Sequence, residues 1–297
     1  MTKKYSLPGF DGQSMYDVFS FLFKEFQRDA INVRAGSVAF SFLLALFPAT
    51  IVVFSLIPYI PIENYRDTLL NSLHQFMPDN VYHMVFNTIN DIINHQHSGV
   101  LSIGIILSVY YSSRGVIGLI NSFDKSYPSF RRRNFWRKTL VSFKITFLLF
   151  ILFILSIGLI VAGNWAIESL MKLMGIEGTT AYYILASVKW LIIILLFYFS
   201  ISLIYFYAPA MHTRLRFFSA GSTVAAFLSI LTSVLFSAYI NNFGNFNKLY
   251  GSIGTLIVIM LWLYYNSLVL IIGFELNASI EINKQRNNDL QNEASYE

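Results

Sequence analysis

Apolar residues run through this chain in six long blocks, and most of the charge clusters in the polar segments between them. The blocks lie near 35–60, 98–120, 141–166, 182–208, 217–240 and 251–275. As helices rising about 1.5 Å per residue, all are long enough to cross about 30 Å of hydrocarbon. The last two are the clearest, since 217–247 and 249–274 carry no charged residue, whereas Arg114 interrupts the second. The pattern predicts an all-α polytopic membrane protein with six transmembrane helices.

Two segments outside the blocks have helical periodicity. In 14–31, Phe19, Leu22, Phe23 and Phe26 recur at helical spacing opposite Lys24, Gln27 and Arg28. This reads as an amphipathic helix, lying in the membrane interface or packed on the base of the bundle. In 62–97, Leu69, Leu70, Leu73 and Phe76 make one apolar face, and Val81, Val85, Ile89, Ile92 and Ile93 make another. Pro78 separates them, which predicts two short external helices, the second capped by Asp79 or Asn80.

Composition agrees. The 297 residues are 55% hydrophobic and 12% charged, about half the charged share of a soluble domain. That excludes a disordered chain and an ordinary soluble enzyme. With no Cys there is no disulfide, thiol nucleophile or Cys-based zinc site. Met1–Lys4 leads into Pro8 and Gly9 rather than an apolar core, so no cleavable signal peptide is read.

Charge placement sets the expected orientation. Lys3, Lys4, Lys24, Arg28 and Arg34 precede the first block. Lys125, Arg131, Arg132, Arg133, Arg137 and Lys138 follow the second, Arg214 and Arg216 follow the fourth, and Lys284 and Arg286 follow the sixth. The alternate segments carry only Arg66, Lys172 and Lys248. The positive-inside rule then puts both termini in the cytoplasm. The expected organisation is a cytoplasmic segment with an interfacial helix (1–34), a six-span domain including the external segment 62–97 (35–276), and a disordered cytoplasmic tail (277–297). Arg131, Arg132, Arg133, Arg137 and Lys138 read as a basic loop facing anionic lipid headgroups, not nucleic acid.

Several motifs resemble the YihY/BrkB family of bacterial inner-membrane proteins, across roughly 28–282. Tyr205–Leu228 is similar to the family's Tyr-x-x-x-Pro segment with its basic loop and Gly-Ala-rich span. Tyr250–Ala278 is similar to its Tyr-Gly-Ser, Leu-Trp-Leu-Tyr and Gly-x-Glu-Leu-Asn-Ala signature. Ala35–Pro48 resembles the first span and Gly99–Gly115 the second, with Tyr110-Tyr111 where members commonly show Trp. The resemblance implies a multi-pass protein of the bacterial inner membrane. It associates the chain with envelope integrity, serum resistance and export of lipopolysaccharide precursors. A ribonuclease BN label attached to the family finds no carboxylate–His cluster suited to two-metal chemistry in this sequence. His95 and His97 read as interfacial polar residues.

Ionisable residues within spans are the candidate functional groups, since an isolated one costs at least about 2.5–3.5 kcal/mol. Arg114, Arg34 and Lys189 are candidates for anion binding, with Glu275 as counterion. Arg114 reads either as a structural ion pair with Glu275 or as an anion site, because its planar fork suits carboxylate and phosphate. Lys189 reads as an anion ligand or as a snorkelling side chain, and Lys144 as snorkelling. Pro48, Pro209, Tyr250 and Gly251 are candidate helix-break or gating positions. Small residues recur every four positions in Ser37, Ser41, Ala45, Ala49 and in Gly221, Ala225, Ser229, Ser233, Ser237, a spacing for close helix crossings. Homo-oligomerisation is left open.

With no P-loop or dinucleotide motif, neither a cofactor nor a bound metal is expected, and no enzymatic activity. Two functions are compatible with these features. One is a transporter or flippase-like protein for an anionic, lipid-linked envelope molecule. The other is a non-transporting membrane scaffold or envelope-integrity factor.

Overall fold

The computed structural model describes residues 9–28, 30–56, 98–124, 130–131, 133–174, 179–212, 215–243 and 252–296. Among these there are seven helices: α1 (Met15–Arg28), α2 (Ile31–Leu56), α3 (Ser98–Phe123), α4 (Phe135–Met174), α5 (Thr179–Tyr207), α6 (Ala220–Phe243) and α7 (Ser252–Tyr296). Each apolar block falls on one of α2–α7. Among the described residues, four helical stretches are long and apolar enough to cross a bilayer: Phe135–Ile160, Thr180–Tyr207, Ala220–Ile240 and Leu256–Asp289. A fifth apolar stretch, Ile31–Leu46, is shorter. The expected external helices of 62–97 lie outside the described residues, as do Arg132, Tyr250 and Gly251.

Helix contacts follow chain order. α2 packs on α3, α3 on α4, α4 on α5, α5 on α6 and α6 on α7, and α7 returns to α2. The six helices therefore close a ring, with α1 laid against α7 outside it. Glycines allow the closest approaches. A Cβ at Gly115 would come 2.9 Å from Phe42 Cδ1, and one at Gly118 would come 3.2 Å from Ser41 Oγ, so α3 lies tight on α2.

The ring is filled at one end. Val38 of α2, Phe123 of α3, Ile145 of α4, Tyr205 of α5, Ala225 of α6 and Phe274 of α7 are all wholly buried in one cluster. Every helix of the ring thus sends a residue into the same plug. Phe274 stacks on Phe123 at 4.2 Å between ring centroids, and Tyr205 meets Phe123 edge-on at 5.8 Å. Aromatic pairs of this kind add about 0.5–1.5 kcal/mol beyond their burial. Toward the other end, side chains such as Ile103, Ile106, Tyr183, Ile184, Val234 and Leu235 are exposed.

Helix ends are stopped by identifiable groups. At the start of α6, Ser219 Oγ accepts the Ser222 amide at 3.2 Å and Ser222 Oγ accepts the Ser219 amide at 3.0 Å, a reciprocal capping box. α5 stops at Tyr207 before Pro209, which cannot continue a helix. α2 passes through Pro48 as one continuous helix, so the expected break is not present in its backbone.

The tail differs from expectation as well. α7 continues to Tyr296 instead of giving way to disorder at 277–297. Its extension is held by groups that a reading of its Asn-, Gln- and Glu-rich composition does not weigh. Leu276 and Ile280 pack on Phe10 and Val18, and Asp11 pairs with Lys284 at 3.2 Å and with Arg216 at 2.9 Å. Asn287 donates to Gln13. α1 packs on α7, with Val18 buried against Leu276 and Ile280 and Leu22 buried as well, while Tyr16, Phe19 and Phe23 stay exposed.

Candidate functional site

The segment Gly273-Phe274-Glu275-Leu276-Asn277 ties five neighbours together at the filled end. A Cβ on Gly273 would fall 2.5 Å from Tyr205 Oη and 2.7 Å from Ala225 Cβ, so only glycine fits there. Phe274 stacks in the plug. Glu275 is wholly buried and accepts Arg34 Nη1 at 3.0 Å. Leu276 packs under the N-terminal segment. Asn277 Oδ1 accepts the Gly221 amide at 2.8 Å, and its Nδ2 donates to Ser219 Oγ at 2.8 Å, completing the cap of α6.

The structure does not bring Arg114 and Glu275 together. Phe274, next to Glu275, stacks on Phe123, and Arg114 stands nine residues, about 13 Å, further up α3, while the ring sets α7 beside α2 and Glu275 takes the arginine that α2 offers at its own level. Arg114 instead reaches back along its own helix, donating to Tyr110 Oη through Nη2 at 3.1 Å and lying 5.3 Å from that ring's centroid. No carboxylate among the described residues is within ion-pair distance of it.

The direction of Arg114 follows from burial along α3. Ser113, Val116, Leu119, Ile120 and Phe123 are buried, whereas Ile103, Tyr110, Arg114 and Asn121 are exposed. At 3.6 residues per turn these sets occupy opposite faces. Arg114 therefore points away from the ring. Below it, Asn121 Oδ1 accepts Lys138 Nζ at 2.9 Å, and Lys138 is ion-paired with Asp124. Tyr110, Arg114, Asn121 and Lys138 form a polar stripe on the outside of the bundle.

Lys189 is not part of that stripe. Its stem passes over Gly163, where a Cβ would meet its Cδ at 2.6 Å, and its Nζ lies 5.5 Å from the Trp190 ring centroid.

The basic loop has a structured role. Phe130 bridges to Met211, and the Arg131 amide donates to the Ala210 carbonyl at 2.6 Å. Arg133 donates to the carbonyls of Tyr207, Ala208 and Pro209 at 3.2, 2.8 and 2.9 Å, satisfying acceptors left at the end of α5. Pro209 is thus a fixed corner. Half-burial lowers the Arg133 pKa from its ordinary value, with the Asp124 carboxylate opposing.

Beside this corner is a cavity of about 530 Å³ between the start of α4 and the end of α5. Arg131, Arg133, Arg137, Lys144 and His212 line it together with Tyr207 and other apolar groups, and among the described residues no carboxylate does. Lys144 is a residue the sequence reading set aside as snorkelling. Its signal was spacing: Arg137, Val141 and Lys144 stand at i, i+4 and i+7, one face of a helix. No group of three or more His, Cys, Asp and Glu suited to a metal ion occurs among the described residues.

A family model described as Virulence factor BrkB matches residues 22–297. A putative ribonuclease-like protein, YfkH, of Bacillus subtilis is 29% identical over 90% of this chain and 97% of its own length. A UPF0761 membrane protein of Aeromonas salmonicida is 28% identical over 88% of this chain and 87% of its own. Another UPF0761 membrane protein, from Vibrio campbellii, is 26% identical over 92% of this chain and 85% of its own. No solved structure matches.

Proposed function

The chain belongs to the BrkB virulence-factor family of membrane proteins, and from that premise we propose that it is a flippase-like transporter of an anionic, lipid-linked envelope molecule in the bacterial inner membrane. In this reading α2–α7 all cross the bilayer and the basic end faces the cytoplasm. The observation that carries it is the outward polar stripe through Arg114. An arginine facing lipid without a carboxylate partner costs at least about 2.5–3.5 kcal/mol. That cost is offset in function if the stripe lets an anionic headgroup slide along the protein while its tails remain in the bilayer. The filled end of the ring supports an outside route over a central one. No catalytic step is assigned.

The test separates stability from activity. Arg114→Leu is expected to raise stability in detergent by about 2–3 kcal/mol while abolishing complementation of a strain lacking the gene. Arg114→Lys is expected to retain only part of the activity, since an ammonium lacks the bidentate fork. A fully active Arg114→Leu protein would remove the stripe from the mechanism. It would favour the alternative, a non-transporting envelope-integrity scaffold, which draws its support from the plug common to all six helices. Topology reporters after Ser126 and His212 are expected to score cytoplasmic, and those after Glu63 and Glu177 external.

A further inference from the structure

The cavity between α4 and α5 is distinct from the Arg114 stripe and serves no part of the transport reading. Its cations differ in how far they are already engaged. Arg133 spends its guanidinium on three carbonyls. Lys138 lies outside the lining and is paired with Asp124. Arg131 uses Nε on His212 Nδ1 at 3.0 Å, which leaves its terminal nitrogens to the cavity. Lys144 Nζ stands 4.0 Å over the Tyr207 ring. Arg137 makes no ion pair among the described residues. Cationic donors therefore converge on one space whose lining, among the described residues, holds no carboxylate, while Phe206, Tyr207, Pro209 and Met211 give it an apolar side.

Its level in the bundle is informative. The apolar stretches of α4 and α5 begin at Phe135 and end at Tyr207, so the cavity sits where both leave the hydrocarbon. Phe135 and Trp136 are exposed beside it, the aromatic pairing found at membrane–water boundaries. A free phosphate would need the cations but would gain nothing from the apolar wall. An amphiphile uses both.

We propose that this cavity is a binding site for the headgroup of an anionic phospholipid, its phosphate held between Arg137 and Lys144 and its glycerol and first methylenes against Tyr207 and Met211. Basic pockets between helices on the cytoplasmic side are a recurrent way to hold such headgroups. The site does not depend on transport, because a scaffold has the same use for it.

The experiment uses the full-length protein in nanodiscs of phosphatidylcholine containing a fifth phosphatidylglycerol, with bound lipid counted by native mass spectrometry after release. The protein is expected to retain phosphatidylglycerol over phosphatidylcholine. Arg137→Gln with Lys144→Gln is expected to weaken that retention roughly 30-fold. Arg137→Lys with Lys144→Arg, which keeps the charge, is expected to keep most of it and so shows that the fold is not at issue. Arg286→Gln with Lys172→Gln removes two positive charges away from the cavity and is expected to change nothing. Equal retention by the cavity double variant, or an equal loss in the distant one, would overturn the site. So would displacement of the lipid by inorganic phosphate at about 10 mM, which would mark a free-anion pocket. Failure here leaves complementation by Arg114 variants unaffected, so the two proposals fail separately.

Discussion

Replacing Arg34 tests whether Glu275 is held by α2, as the ring requires. The pair is 3.0 Å apart, with Glu275 wholly buried and the Arg34 side chain 19% exposed. Two unit charges about 4 Å apart attract by about 4 kcal/mol at an effective dielectric near 20, but both have been taken out of water, so the net worth of the pair is much smaller. Breaking it is another matter. Arg34→Met strands a carboxylate in the plug, and the expected loss is about 3–5 kcal/mol. Glu275→Gln is expected to cost less, about 1–2 kcal/mol, because the partly exposed guanidinium can turn toward water and the amide still accepts one hydrogen bond. Arg34→Met with Glu275→Met removes both charges at similar volume and is expected to return to within about 1 kcal/mol of the parent protein. Unfolding in mixed micelles, followed by fluorescence of the four tryptophans, measures each corner of the cycle. The reasoning is refuted if Arg34→Met costs less than about 1 kcal/mol, or if Arg114→Met couples to Glu275 as strongly as Arg34→Met does.

Three further outcomes are expected in thermal melts of the detergent-solubilised protein. Gly273→Ala places a methyl against Tyr205 Oη and Ala225 and should cost about 1–3 kcal/mol, whereas Gly158→Ala, with nothing within 4 Å, should be neutral or slightly stabilising. Asn277→Ala deletes both the Gly221 and Ser219 hydrogen bonds and should cost about 1–2 kcal/mol, with earlier loss of amide protection at the start of α6. Arg133→Lys keeps the charge but cannot span the carbonyls of Tyr207, Ala208 and Pro209, and should lower stability by about 1.5–3 kcal/mol.

The helices were legible because apolar runs of this length have few alternatives, and the structure puts a helix on every one. The rows of small residues were legible in part. Gly221, Ala225 and Ser229 are buried and Ser233 accepts Trp262 Nε1 at 3.2 Å, but Ser237 is exposed, since a four-residue row turns by about 40° per step and winds off the interface. What the sequence did not carry was direction around the ring. The contacts of Gly115 with Phe42 and of Gly118 with Ser41 put Arg34 well below Arg114, but the sequence carries no register between helices, and the polar face of Tyr110, Arg114 and Asn121 reads equally as inward or outward. Partnership was set by which helix closes the ring. The cavity was hidden for a related reason: His212 and Lys144 are separated by 68 positions, and only the corner held by Arg133 brings their segments together.

Closure by the last helix also governs how such a protein is assembled. Helices α2 to α6 each find their neighbour as soon as it emerges, because order in the chain is order in the ring. The plug does not follow that schedule. Phe123 gains its stacked partner, Arg34 its carboxylate and the Gly221 amide its side-chain acceptor only once Gly273–Asn277 has been made. A ribosome stalled before residue 273 would therefore leave five mutually packed helices around an unfilled base, with a basic surface and no glutamate to meet it. Premature termination anywhere upstream should produce the same all-or-none target for membrane proteases, and a chain reaching Ala278 should escape them.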